Sequence, residues 1–309
     1  MSESTKNQRT STRSYGSGKR EGHDASSFYS RFAPPKLSAD EDIARCSVPN
    51  TLWSADSRDL SFIEDNSVAL VVTSPPYFVG KEYELEVANG YPSSYIEYLE
   101  LLGDVFAECY RVLEPGGRIA INVANLGRKP YRSLSSDVAS ILQDSLGFLL
   151  RGEILWIKGK GANGSCAWGS YSSASNPVLR DVSERIIVAS KGRFSRVIDK
   201  KKRRELSLPH QDTIAAEDFR AWTLDTWYIP PASAKRLQHP APFPAELPAR
   251  LIQLYTYKDD VVLDPFGGVA QTAIACLQTE RRYICVDSEP RYIAIAEERI
   301  RKWKDQNVV

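Results

Sequence analysis

Five consecutive residues, Thr73-Ser74-Pro75-Pro76-Tyr77, combine groups suited to chemistry on an amine. They follow a short apolar run, Val68-Ala69-Leu70-Val71-Val72, long enough for one strand buried on both faces. Two prolines then end that strand, since neither donates a backbone hydrogen bond and each fixes φ. Past the strand's carboxyl end this leaves a set of acceptors: the Ser74 hydroxyl, the free Pro75 carbonyl and the aromatic face of Tyr77. An exocyclic amino nitrogen on a nucleobase is planar because its lone pair is delocalised into the ring. Acceptors on both of its N–H groups favour pyramidalisation and free that pair to attack an electrophile above the ring plane. Ser74 Oγ and the Pro75 carbonyl suit this task, and a base stacked on Tyr77 would gain about 1–3 kcal/mol. Taken alone, the five residues are better explained as a Pro-Pro strand terminator with a surface tyrosine.

A second strand end changes that balance. Val261-Val262-Leu263-Asp264 reads as a strand, Pro265-Phe266-Gly267-Gly268-Val269-Ala270 as a turn, Thr272–Leu277 as a helix, and Arg282–Asp287 as the next strand. Strand, glycine turn, helix, strand, acid is the pattern of a site for a nucleoside-bearing cofactor. Glycines let backbone N–H groups approach an anionic group at a helix N-terminus. Asp287 lies 23 residues beyond Asp264, near the ~20-residue spacing at which a carboxylate meets ribose hydroxyls. The glycines do not form GxGxxG, and Gly267-Gly268 by itself fits an ordinary tight turn equally well. Both motifs end buried strands, so parallel pairing would let both face one crevice.

The other elements must position these two ends. Strand character recurs at Thr51–Asp56, Arg118–Ala124, Gly152–Lys158 and Ser183–Ser190, and helical spacing at Tyr95–Leu113, 133–146, Leu247–Tyr255 and Arg291–Lys304. The order predicts a doubly wound α/β fold: a mostly parallel seven-stranded sheet with a late antiparallel hairpin and a small inserted region. Residues 1–30 are polar and loosely basic and read as a disordered tail. Residues 31–190 carry the amine motif, 191–236 read as an inserted recognition segment, and 237–309 carry the glycine turn.

With 40 Lys and Arg against 39 Asp and Glu, the net charge of +1 does not announce a polyanionic partner, so any such partner must be met by a local patch. Residues 191–204 supply one, with eight basic residues against one acid: Lys191, Arg193, Arg196, Lys200, Lys201, Lys202, Arg203 and Arg204. A charge run is usually a solvated face. The near-neutral remainder and the neighbouring tryptophans and tyrosines favour phosphate binding instead. Cys46, Cys109, Cys166, Cys276 and Cys285 lack CxxC spacing and fit reduced thiols of a cytoplasmic protein. With His23, His210 and His239 the only histidines, no metal site is expected. No apolar run reaches the ~18 residues of a membrane-spanning helix.

Thr73-Ser74-Pro75-Pro76-Tyr77, His239-Pro240-Ala241-Pro242-Phe243-Pro244 and Asp264-Pro265-Phe266-Gly267-Gly268, in that order, resemble the DNA amino-methyltransferases of the permuted class. The resemblance covers about residues 50–304 and extends to Arg111–Gly117, Ala167–Ser170 and Ser175–Pro177. It implies double-stranded DNA as substrate, S-adenosylmethionine as cofactor, and a partner restriction endonuclease as one setting. It also implies roles: Asp264, Pro265, Phe266, Gly267 and Gly268 at the methionine end, Thr272 near its carboxylate, Thr73 beside them, Asp287 at the ribose and Asp56 near the adenine. His239, Pro240, Ala241 and Phe243 would close over the methionine side, and Ser74, Pro75, Pro76 and Tyr77 would hold the base. In this family a Ser-Pro-Pro-Tyr motif usually accompanies cytosine N4, and Asp or Asn in place of the serine adenine N6. Adenine N6 is the rival acceptor, and the departure from the family's cofactor turn at Val269-Ala270-Gln271 makes a catalytically weak DNA-binding protein the other rival expectation. If the turn needs φ > 0 at Ala270, alanine costs about 1–2 kcal/mol there.

Overall fold

The run Val68–Thr73 forms strand β2, with every residue buried, as its unbroken β-branched character requires. The computed structural model describes residues 37–78, 92–126, 130–159, 169–179, 181–232 and 243–307. The tail at 1–30, His239, Pro240 and Ala241 lie outside these residues.

The strands are β1 (Thr51–Ser54), β2, β3 (Leu113–Val123), β4 (Leu149–Ile157), β5 (Ser183–Ser190), β6 (Thr226–Tyr228), β7 (Val261–Asp264) and β8 (Arg282–Asp287). They form one sheet in the order β1-β8-β7-β2-β3-β5-β4-β6. β5 runs antiparallel to both β3 and β4, giving the expected late hairpin, and every other pairing is parallel. Among the described residues the sheet has eight strands rather than seven. The additional one, β6, lies inside the segment expected to be an insertion and pairs with β4.

Side chains alternate between two cores. Val71, Ile119, Ile121, Leu263 and Ile284 face helix α1 (Tyr95–Val112) and helix α2 (Leu134–Ser140), which a short π turn (Ile141–Ser145) extends. Leu70, Val72, Ala120, Val262 and Cys285 face helices α5 (Glu246–Tyr255), α6 (Gln271–Gln278) and α7 (Pro290–Asn307). Two shorter helices, α3 (Lys200–Glu205) and α4 (Ala216–Trp222), lie between β5 and β6. Ser94 caps α1 by accepting from the Glu97 backbone N–H at 3.2 Å. A sheet covered on both faces leaves its strand ends as the accessible place for a ligand, at the carboxyl end of the parallel strands.

Candidate active site

β2 and β7 are adjacent parallel strands, with Leu70 opposite Val262 and Val71 opposite Leu263. The amine motif and the glycine turn therefore leave the sheet side by side. Thr73 Oγ1 donates to Asp264 Oδ1 at 2.7 Å, joining the two strand ends directly. Asp264 also accepts from Thr272 Oγ1 at 2.6 Å and from the Phe266 N–H at 3.1 Å. Burial pushes its carboxyl up to about 6, against the opposing pull of these hydrogen bonds. Thr272, expected beside a cofactor carboxylate, is fully buried with its hydroxyl turned to Asp264.

Asp287 ends β8 and accepts one backbone N–H on each oxygen, from Gly268 at 2.8 Å and Glu289 at 2.9 Å. A carboxylate offers about four lone-pair sites, so two remain for hydroxyl donors. Ala55 N donates to the Asp287 carbonyl at 3.1 Å, bringing the end of β1 and Asp56 to the same rim. Asp56 is held below the ordinary carboxylate range, chiefly by its hydrogen bonds from Arg58. Neither Asp264 nor Asp287 makes an ion pair among the described residues. Carboxylates at neighbouring strand ends, with acceptor sites left on Asp287, fit a cationic ligand that carries a diol.

The turn holds its shape through the residues that depart from the family. Ala270 adopts φ 60 and ψ 42, the left-handed conformation that disfavours a side chain. Its methyl is fully buried in the helical core, and Gln271 Nε2 donates to the Phe243 carbonyl at 2.7 Å. Arg299 donates to the Val269 carbonyl and, at 2.5 Å, to Gln271 Oε1. Ala270→Gly is expected to be nearly neutral in thermal unfolding. Relief of about 1–2 kcal/mol is opposed by roughly 0.5–1 kcal/mol of glycine entropy and about 0.8 kcal/mol of lost methyl burial. A Tm rise above about 8 °C would contradict that balance.

On the other side of the crevice, Ser74 Oγ lies 3.0 Å from Tyr77 Oη, which donates to Glu184 Oε2 at 3.0 Å. Asn122 Nδ2 donates to Glu184 Oε2 at 2.6 Å and to Tyr77 Oη at 3.0 Å, and Lys158 pairs with Glu184 Oε1. Tyr77, expected to offer an open face, is only 8% exposed, and its hydroxyl anchors this network. Burial, and next the facing Glu184 carboxylate, hold its phenol well above its ordinary range and so protonated. Asn122, Lys158 and Glu184 are absent from the candidates that the sequence suggests. A signal for one of them was present, because Asn122 interrupts the apolar run Ile119–Val123 of β3.

The basic run lies at the other end of the sheet. β5 is antiparallel, and its last residue, Ser190, pairs with Arg118 near the start of β3's parallel register. Residues after Ser190 therefore emerge at the amino ends of the parallel strands, opposite the crevice. Lys191 donates to Asn66 Oδ1 at 2.6 Å and to the Arg111 carbonyl at 3.0 Å, and burial pushes its ammonium down to about 8. Arg196 and Arg203 turn inward to Glu114 and Asp260. Arg193 pairs with Glu41 and Lys200 with Asp212. Lys201, Lys202 and Arg204 are exposed on α3, which Arg203 ties to Glu114 and Asp260.

A family model for DNA methylases of the N6/N4 type matches residues 68–298. Among curated relatives, the type II methyltransferase M.BglI of Bacillus subtilis is 28% identical, over 81% of this chain and 85% of its own. M.MjaI of Methanocaldococcus jannaschii is 29% identical over 79% and 89%. A candidate DNA modification methylase of Thermus thermophilus, crystallised with S-adenosyl-L-methionine, superimposes with a TM-score of 0.62 at 29% identity, over 82% of this chain and 95% of its own. The cytosine-N4-specific PvuII methyltransferase superimposes with a TM-score of 0.60 at 20% identity, over 86% and 96%, a likeness of fold. With its two strand-end motifs inside the matched span, this chain belongs to the N6/N4 DNA methylase family.

Proposed function

We propose that this protein methylates the exocyclic N4 of cytosine at a specific site in double-stranded DNA, with S-adenosyl-L-methionine as donor. The observation that carries this reading is the adjacency of β2 and β7: an amine acceptor set and a carboxylate terminate neighbouring strands, joined by the Thr73–Asp264 hydrogen bond. Bound there, S-adenosyl-L-methionine supplies an electrophilic methyl on a sulfonium.

Asp287 suits the ribose hydroxyls and Asp264 the cationic end of that molecule, with Phe266, Gly267 and Gly268 forming the turn between them. The target base leaves the duplex, at a cost of a few kcal/mol, to reach Ser74. Ser74 Oγ and the Pro75 carbonyl accept from the two amine hydrogens and aim the nitrogen lone pair at the methyl. Transfer would be direct: the N–C bond would form as the methyl–sulfur bond breaks, leaving a neutral thioether, and the amine would lose one proton to solvent, with alignment at about 3–3.5 Å the main catalytic contribution. Ser74 acts as an acceptor, not a nucleophile, because its neighbours are a protonated Tyr77 and an Asn122 amide rather than a base.

Serine at position 74, where aspartate or asparagine usually accompanies adenine, favours cytosine. The type II relatives suggest a restriction–modification setting with a partner endonuclease. The test is to methylate PCR-amplified DNA with the purified chain, digest it to nucleosides and weigh the products. N4-methyl-2′-deoxycytidine is expected, and a digest containing only N6-methyl-2′-deoxyadenosine would reassign the acceptor.

A further inference from the structure

The Ser74–Tyr77 contact leaves open which hydroxyl donates, because either oxygen can take either role. Glu184 removes the choice. Its carboxylate is only an acceptor, is 7% exposed, and lies 3.0 Å from Tyr77 Oη. Tyr77 has a single hydroxyl proton and two oxygens competing for it. A hydrogen bond to a carboxylate is roughly twice as strong as one to a neutral hydroxyl, so the proton goes to Glu184.

Tyr77 Oη then meets Ser74 as an acceptor, and the Ser74 proton is drawn to Tyr77. Asn122 enforces the same direction, since its Nδ2 donates to Glu184 and Tyr77 and lies 3.4 Å from Ser74 Oγ. Turning that amide over would set its oxygen against the carboxylate. Lys158 secures the far oxygen of Glu184.

We infer that Glu184 is a positioning residue that sets the hydrogen-bond polarity of the site, so that Ser74 presents only lone pairs to the incoming base. The chain runs Ser74 O–H to Tyr77 O–H to Glu184 carboxylate. Its consequence is selection by functional group: a base with an amino group at the reacting edge donates into Ser74, and a base with a carbonyl there meets lone pair against lone pair. This rests on the amine-methylation reading above and adds the residue that makes the pocket accept an amine.

The experiment compares wild type, Glu184→Gln, Tyr77→Phe and the double variant as full-length chains, with labelled S-adenosyl-L-methionine and PCR-amplified genomic DNA. Glutamine offers donors toward Tyr77, which frees Tyr77 to donate to Ser74 and turns the Ser74 proton toward the base. Glu184→Gln should lower kcat at least 50-fold, with Kd for S-adenosyl-L-methionine within twofold and Tm within a few degrees. Because Glu184 acts through the Tyr77 hydroxyl, adding Glu184→Gln to Tyr77→Phe should change kcat less than threefold. An equal loss in both backgrounds, or an unchanged kcat, overturns the inference while wild-type transfer keeps the functional reading intact. Should Glu184→Gln not fold, Tyr77→Phe decides: it keeps the ring and cuts the chain, so kcat should fall tenfold or more, and wild-type turnover overturns the inference. Failure of wild type to label any DNA overturns both.

Discussion

Ser74→Ala is expected to lower kcat by about 10²–10³-fold, the usual loss when one preorganised hydrogen-bonding group is removed from a reacting centre. At 1.36 kcal/mol per tenfold, that is about 2.7–4 kcal/mol of the barrier. On the proposed reading the hydroxyl would sit beside the reacting nitrogen, where its lone pair is needed most as the amine pyramidalises. The pocket itself should persist, because Tyr77 keeps its bonds to Glu184 and Asn122 when Ser74 is shortened. DNA affinity should stay nearly constant, since phosphate contacts dominate it. Single-turnover methylation beside fluorescence anisotropy separates the two quantities. Equal losses in both would make Ser74 a DNA-positioning residue.

The second large effect lies at the other end of the strands. Glu114 is 3% exposed and meets both Arg196 and Arg203, while Asp260 meets the same two guanidiniums. The Tyr257 ring lies over Arg196 and Arg203, with 4.7 and 5.3 Å from guanidinium carbon to ring centroid. Burial opposes the charge on Glu114, yet the two arginines hold its carboxyl below the ordinary range. Glu114→Gln leaves two buried cations facing one acid. Removing one partner of such a cluster costs about 3–5 kcal/mol, which for a chain of this size lowers Tm by about 10 °C. Thermal unfolding measures it, and a shift under about 3 °C would contradict the buried-network description. The paired variant Lys201→Gln/Lys202→Gln should leave both Tm and the salt dependence of DNA binding unchanged. A shallower salt slope would return that run to the DNA interface.

The strand ends were legible because their signals are local. A β-branched run followed by two prolines, and an apolar run followed by Asp-Pro-Phe-Gly-Gly, announce themselves within a dozen residues. β6 was not, since Thr226–Tyr228 is three residues long and becomes a strand only because β4 offers an edge. Charge composition carries no topological information. Eight basic residues say nothing about which end of the sheet receives them, and one antiparallel strand, β5, delivers them to the amino ends. Glu184 lies 107 residues from Tyr77, and only the fold brings its carboxylate to the Ser74 site. The left-handed Ala270 was legible as a conflict between residue and turn. Its buried methyl and the Gln271–Arg299 link, which let the turn stand, were not.

Thr73 and Asp264 are hydrogen-bonded across 191 residues of chain, and the strand between β2 and β8 is the last but one to be synthesised. While the polypeptide grows, β2 holds an unpaired inner edge until almost the whole chain is available to close it. Contacts so distant in sequence slow folding, and an open strand edge invites pairing with the wrong chain. The chain thus passes through an aggregation-prone stage, with the β2 edge open, before the strand that carries Asp264 is made.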